Sequence, residues 1–280
     1  MEMFQILKKE PITKEVYRMV LYVPHVARRR KAGQFIIIRV DEKGERIPLT
    51  IADADPEQGT ITIYFQVVGT TTYKLSRKEV GERLLDVVGP LGRPTHIENF
   101  GRVACVGGGV GIAPLYPITK ALKDAGNYII GIIGARTKSL LILEDEMRAL
   151  CDELLISTDD GSYGHKGFVT DLLKQVLERD EPVNQVFAIG PPIMMKFVCK
   201  LTKQYNTPTI VSLNPIMVDG TGMCGACRVE VGGETKFCCV DGPEFDGHAV
   251  NWDLFLKRLL TYRPQEEQSY ELIKKKTGGQ

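Results

Sequence analysis

The chain has 280 residues, with 36 Lys and Arg against 35 Asp and Glu and a net charge of +1. That length suggests two domains with a small appendage, and the charge balance argues against a general nucleic-acid-binding surface. No apolar run is long enough to cross a bilayer, and the N-terminal Met-Glu-Met-Phe-Gln lacks the basic-then-apolar form of a signal peptide, so a cytoplasmic globular protein is expected.

Residues 1–100 read as an antiparallel β-barrel. Runs at 15–23, 35–40, 60–67 and 83–88 alternate, are rich in Val, Ile and Tyr, and are separated by Gly, Pro or Asp. Two stretches within them stand out. In Arg46-Ile47-Pro48-Leu49-Thr50 a basic residue, a rigid proline and a hydroxyl lie along one strand edge. Arg46 suits a bidentate phosphate contact, and Thr50 with nearby backbone suits a flat heterocycle. An ordinary strand entry with a surface arginine is the alternative. In Val67-Val68-Gly69-Thr70-Thr71-Thr72 a glycine and three threonines precede a helical turn. That arrangement presents N–H groups and hydroxyls to a pyrophosphate, or simply caps the helix.

Residues 101–213 change to alternating strand and helix, the pattern of a doubly wound α/β domain. Strands are expected at 102–106, 127–133, 153–157, 185–189 and 207–213, and helices at 115–125, 144–150, 170–177 and 193–205. Gly107-Gly108-Gly109-Val110-Gly111 turns from the first strand into a helix, where small residues let a dinucleotide pyrophosphate approach backbone N–H groups. Ile112 stands where a third fingerprint glycine would be, so the motif alone is weak. Gly190, Pro191 and Met194 follow a later strand at its C-terminal end, where the crevice of an open sheet lies. Asp159 and Asp160 follow another such strand. Carboxylates there repel a 2′-phosphate and accept from ribose hydroxyls, which favours NAD(H) over NADP(H), while Arg136 argues mildly the other way.

Residues 214–250 carry the densest chemistry. Seven cysteines, four of them at 224, 227, 238 and 239, are not a disulfide framework; in a reducing compartment a clustered set more often binds metal or does redox work. Cys105, Cys151 and Cys199 read as small buried hydrophobes. Asp219, Cys224, Cys227 and Cys239 lie in a loop loosened by Gly220, Gly222 and Gly225, and a hairpin between 228–231 and 235–239 would return the last cysteine to it. The reading is an iron–sulfur loop. Structural zinc on Cys224, Cys227, Cys238 and Cys239 is disfavoured, because neighbouring strand residues point oppositely. In residues 251–280, Trp252, Phe255, Leu256, Leu259 and Leu260 share one helical face, which packs on its own domain or docks a partner; 262–280 is polar and expected to fray. The four histidines show no ligand spacing.

Taken in order, Arg46-x-Pro48-Leu49-Thr50, Gly69-Thr70-Thr71-Thr72 and Gly89-Pro90-Leu91-Gly92 resemble the FAD-binding barrel of the ferredoxin–NADP reductase superfamily. The resemblance implies flavin contacts at Arg46, Pro48, Leu49, Thr50, Val67, Gly69, Thr71 and Thr72. It implies NAD(H) contacts at Gly108, Gly109, Gly111, Asp159, Gly190, Pro191 and Met194. In the related dihydroorotate dehydrogenase electron-transfer subunits, Cys-x4-Cys-x2-Cys-x11-Cys binds [2Fe–2S]. Here the pattern is Asp219-x4-Cys224-x2-Cys227-x11-Cys239. The aspartate resembles the small-subunit family of NADH-dependent reduced ferredoxin:NADP+ oxidoreductases. That family implies FAD, [2Fe–2S] and NAD(H) in this chain. It also implies a larger flavin and [4Fe–4S] partner subunit binding NADP(H), ferredoxin reached through that partner, and electron bifurcation. An electron-transfer subunit of a dihydroorotate-type enzyme and a non-catalytic redox-sensing flavoprotein are the alternatives. No nucleic-acid or membrane partner is expected.

Overall fold

The computed structural model describes residues 1–278. Its N-terminal part is two antiparallel sheets closed on one another. The four-stranded sheet runs, in spatial order, Ile6–Pro11, Val16–Tyr22, Thr60–Gln66 and Asp53–Asp55; the three-stranded sheet runs Arg46–Thr50, Phe35–Arg39 and Asp86–Leu91. The expected strand at 83–88 lies three residues further on, continuing through Gly89 and Pro90 on a sheet edge where proline costs no ladder hydrogen bond.

The unbroken apolar run Phe35-Ile36-Ile37-Ile38 has a physical cause. Successive side chains of a strand face opposite ways. Ile36 and Ile38 enter the barrel core with Met19, Leu21, Ile61, Ile63 and Phe65. Phe35 and Ile37 enter a second core that holds Ala104 and Val106 of the next domain together with Cys227 and Cys239. Both faces of this strand are therefore buried, and it joins the barrel to the rest of the molecule.

A seven-stranded sheet follows, ordered His165–Lys166, Glu153–Thr158, Tyr128–Ala135, Arg102–Gly108, Gln185–Ile189, Thr209–Ser212 and Glu244–Asp246. All neighbours are parallel except the last pair. Helices Ile112–Asp124 and Glu144–Leu150 contribute Ile112, Leu115, Ile118, Leu122 and Met147 to the core on one face. Helices Val169–Leu177 and Pro192–Gln204 contribute Leu172, Leu173, Met195 and Val198 to the core on the other. This is the doubly wound domain expected from the sequence. Strand order reverses at Arg102–Gly108, so the ligand crevice lies beyond the C-terminal ends of that strand and of Gln185–Ile189.

The cysteine segment is the hairpin Arg228–Val231 with Glu234–Phe237, then the helical turn Cys238–Asp241. Cys239, expected at the end of a strand, sits on that turn. The Asp241 carboxylate accepts from the Phe237 N–H at 2.8 Å and closes the turn. The chain then adds Glu244–Asp246 as the antiparallel edge of the large sheet. Helix Trp252–Leu259 packs back on its own chain through buried Trp252 and Phe255, while Leu260 stays exposed. The polar tail, expected to fray, forms a second helix, Arg263–Lys276. Gly279 and Gln280 fall outside the described residues. Among the described residues no helix is long and apolar enough to cross a membrane.

Candidate functional site

Arg46–Thr50 is the outer strand of its sheet, and each of its five residues is half-buried. Pro48 pairs with Ile37, and Leu49 packs against the barrel core. An edge strand with a half-buried surface and a free backbone edge is a floor for a planar ring. Arg46 donates from Nη1 to Asp86 at 3.0 Å and from Nε to the Val218 carbonyl at 2.8 Å. The expected phosphate partner thus also holds the residue next to Asp219.

The threonine turn opens helix Thr70–Arg77. Val67 anchors its start by donating its N–H to Glu15 O at 2.8 Å. The Thr72 hydroxyl accepts from the N–H groups of Val68 and Gly69 at 3.0 and 3.1 Å, so it caps the helix. Buried Thr71 donates to Glu45 at 3.2 Å, and the Thr70 hydroxyl bonds Ser269 at 2.8 Å. What faces outward is backbone. A Cβ built on Gly69 would meet nothing within 4 Å. The first-turn N–H groups have no intrahelical acceptor, so the open cradle fits a pyrophosphate.

In the large sheet, Gly108, Gly111, Gly190, Pro191 and Met194 are brought together at the switch point. A Cβ on Gly108 would lie 2.4 Å from Met194 Sδ and 3.1 Å from Pro191 Cδ; one on Gly111 would lie 2.6 Å from Gly190 Cα. These glycines therefore serve close packing of two strand ends. Gly109, at φ +55° with open space where a Cβ would be, is the one that faces the crevice. Asp159 sits two strands away, roughly 10 Å at ordinary strand spacing, on an exposed turn where its N–H donates to Ala135 O at 3.1 Å. Asp160 spends its carboxylate on Ser162, whose hydroxyl and N–H (the latter at 2.9 Å) together hold its pKa below the usual range. The Asp159 carboxylate is exposed on that turn. Lys138 was not singled out in the sequence. It lies 4.5 Å from the Tyr163 ring centroid, and its N–H donates to the Ser162 hydroxyl. Its place after the C-terminal end of Tyr128–Ala135 follows the rule that selected Asp159.

Cys227 and Cys239 are buried with their sulfurs 3.2 Å apart. Burial and the neighbouring Cys227 thiol push Cys239 up to about 12, and burial raises Cys238 as well. Metal binding there must displace protons. Asp219 accepts from the N–H groups of Thr221 and Cys224, each at 2.9 Å, which holds its carboxyl below the usual carboxylate range. Cys224 is exposed, and among the described residues no three such side chains already form a gathered metal site. The loop is fixed elsewhere: a Cβ on Gly220, at φ +78°, would lie 2.7 Å from both Ile37 Cδ1 and Leu91 Cδ1. The donor set, a close thiol pair with a third thiol and a carboxylate on a glycine loop, fits an iron–sulfur group.

The barrel, the doubly wound sheet and the cysteine loop define a protein of the ferredoxin–NADP reductase fold class with an iron–sulfur segment at its C-terminal side. The cytochrome b5 reductase domain of Ulva prolifera nitrate reductase shares the fold, with a TM-score of 0.57 at 21% identity over 72% of this chain and 91% of that one. Residues 105–200 match the oxidoreductase NAD-binding domain, and residues 214–251 match the iron–sulfur cluster binding domain of dihydroorotate dehydrogenase B. The Thermotoga maritima homologue of the dihydroorotate dehydrogenase B (NAD+) electron transfer subunit is 54% identical over 98% of this chain and 96% of its own. The Geobacillus thermodenitrificans electron transfer subunit is 34% identical over 87% and 96%. The chain belongs to this electron-transfer-subunit family. A solved structure of an NADH-dependent reduced ferredoxin-NADP oxidoreductase, described for flavin-based electron bifurcation, matches with a TM-score of 0.92 at 53% identity over 98% of both chains.

Proposed function

We propose that this chain is a cytoplasmic oxidoreductase subunit that binds FAD on the barrel, NAD(H) at the sheet crevice and [2Fe–2S] on the cysteine loop. It serves a larger partner subunit, which carries a further flavin, [4Fe–4S] clusters and the NADP(H) site and meets ferredoxin. When bound, these groups supply hydride exchange and single-electron transfer.

The chain's residues position them. Pro48, Leu49 and Thr50 support the flavin ring, with Arg46 at its strand's start. Val67, Gly69, Thr71 and Thr72 shape the phosphate turn. Gly109 admits the NAD pyrophosphate, and Gly108, Gly111, Gly190, Pro191 and Met194 form the packed floor beneath it. Asp159 accepts from the ribose. Asp219, Cys224, Cys227 and Cys239 hold iron. The carboxylate is a harder ligand than the cysteine it replaces, and it alters potential and proton coupling.

The observation that carries this reading is the seat of the cluster loop. Gly220 lies against Ile37 and Leu91, and Arg46 holds the Val218 carbonyl. The three-stranded sheet whose edge is proposed to carry the flavin also carries the loop, so the two redox groups share one rigid support. The choice of partner rests on the full-length similarity to the NADH-dependent reduced ferredoxin-NADP oxidoreductase chain and on Asp219. Purification of the native complex tests it: flavin, iron and sulfide are expected with the larger subunit, and NADH bleaches the flavin in stopped flow. A dihydroorotate-binding partner, or flavin unresponsive to NADH, overturns it.

A further inference from the structure

The tail helix Arg263–Lys276 buries none of its residues and is strongly polar. Alone in water a helix of this length is marginal. Its side-chain anchors converge on one element, helix Thr70–Arg77. Ser269 Oγ meets Thr70 Oγ1 at 2.8 Å, and the Tyr270 ring meets Tyr73 edge-on at 5.9 Å between centroids. Thr277 Oγ1 meets Tyr73 OH at 2.8 Å. Ile273 and Thr277 close a cleft of about 280 Å³ against Tyr73, Lys74 and Arg77.

The direct contacts run from Thr70 with Ser269 to Tyr73 with Tyr270 and Thr277, all in the first half of helix Thr70–Arg77. The tail helix begins six residues before Ser269, about 9 Å at 1.5 Å per residue. Its anchor nearest the pyrophosphate turn is Ser269, on Thr70, the residue directly after Gly69. Ser269 holds the hydroxyl of the first residue of helix Thr70–Arg77, and Thr72 caps the same turn from within.

We propose that the tail helix is a strap over the flavin-phosphate turn, with Ser269 and Tyr270 as positioning residues for FAD. The proposal rests on reading 67–72 as the flavin-phosphate turn. An anion bound at the N–H groups of Thr70–Thr72 orders the first turn, and that turn is the tail's anchor. Linkage is reciprocal: flavin must then hold the strap down by the same factor as the strap holds flavin in.

The test uses the full-length, flavin-loaded protein. Flavin release is followed by fluorescence in wild type, in the double variant Ser269→Ala with Tyr270→Ala, and in Leu272→Ala, which alters a half-exposed position on the same helix. The double variant removes one hydrogen bond and one aromatic pair, so release is expected about tenfold faster. Leu272→Ala is expected to match wild type. Hydrogen exchange across 269–273 should slow when FAD is added to flavin-depleted wild type, and this response should vanish in the double variant. A purely structural tail would not respond to flavin. If the protein binds flavin yet the double variant releases it like Leu272→Ala, the strap is overturned and the turn stands. If it binds none, both fall.

Discussion

Glu244 offers the sharpest physical test of how the parts of this chain are joined. It lies in the edge strand Glu244–Asp246, opposite Ser212, and its Oε1 accepts from the Thr95 hydroxyl at 2.6 Å. Oε1 also lies 2.8 Å from where a Cβ on Gly33 would be, so the carboxyl fills the junction between barrel, linker and sheet. Burial pushes its pKa from 4.5 up to about 7, with the Thr95 hydrogen bond pulling the other way. The folded state therefore holds the proton more tightly than the unfolded chain. The stability this supplies is fully present below 4.5 and is lost as pH rises to about 7. At 1.36 kcal/mol per pH unit the loss is about 3 kcal/mol. Glu244→Gln keeps an acceptor for Thr95 and is neutral at every pH. At pH 5 the variant and wild type should melt within a few degrees of each other. At pH 8 the variant should melt higher, by roughly 5–10 °C for a chain of this size. The assay is the difference in thermal midpoint between the two proteins across that range, which cancels the titration of all other groups. A difference independent of pH would refute the reasoning, because it would mean that Glu244 ionises in the fold as easily as in the unfolded chain.

Two further outcomes are expected. Gly220→Ala forces a side chain into a position at φ +78° and to within 2.7 Å of Ile37 and Leu91, so it should displace the cluster loop. The expected result is a cost of about 1–3 kcal/mol and lower iron and sulfide per chain, measured with flavin content as the internal reference. Asp219→Cys should keep iron bound but change the cluster's EPR spectrum and potential, since a thiolate is softer than a carboxylate; an unchanged spectrum and potential would count against aspartate ligation.

The doubly wound domain was legible because its strands are buried on both faces and its helices are amphipathic. Helix Glu144–Leu150 and strand Gln185–Ile189 lie at the expected residues. Strand Ile6–Pro11 escaped notice because only Ile6 is fully buried and Lys8, Lys9 and Glu10 break the apolar pattern. Glu244–Asp246 is three residues long and owes its conformation to pairing with Thr209–Ser212. The turn that carries Cys239 depends on one side-chain acceptor, Asp241, which strand propensity cannot register. The tail helix likewise draws its order from Thr70 and Tyr73, about two hundred residues away in sequence. The cysteine and aspartate spacing was plain in the sequence, but the partner of that loop was not.

That partner changes how the cluster segment should be understood. Phe35–Arg39 sends Ile36 and Ile38 into the barrel and Phe35 and Ile37 toward Cys227 and Cys239. Its neighbour Arg46–Thr50 bears the residues proposed to bind the flavin ring and reaches the loop through Arg46 and Val218. A loop attached only by the hairpin would be free to move relative to the flavin, and a displacement of a few ångströms would alter electron passage. Here the contact at Gly220 has no room for a methyl group, so the loop cannot move without unpacking Ile37 and Leu91. The continuous run Phe35–Ile38, whose two faces enter two different cores, is thus what ties the cysteine loop to the strand proposed to carry the flavin.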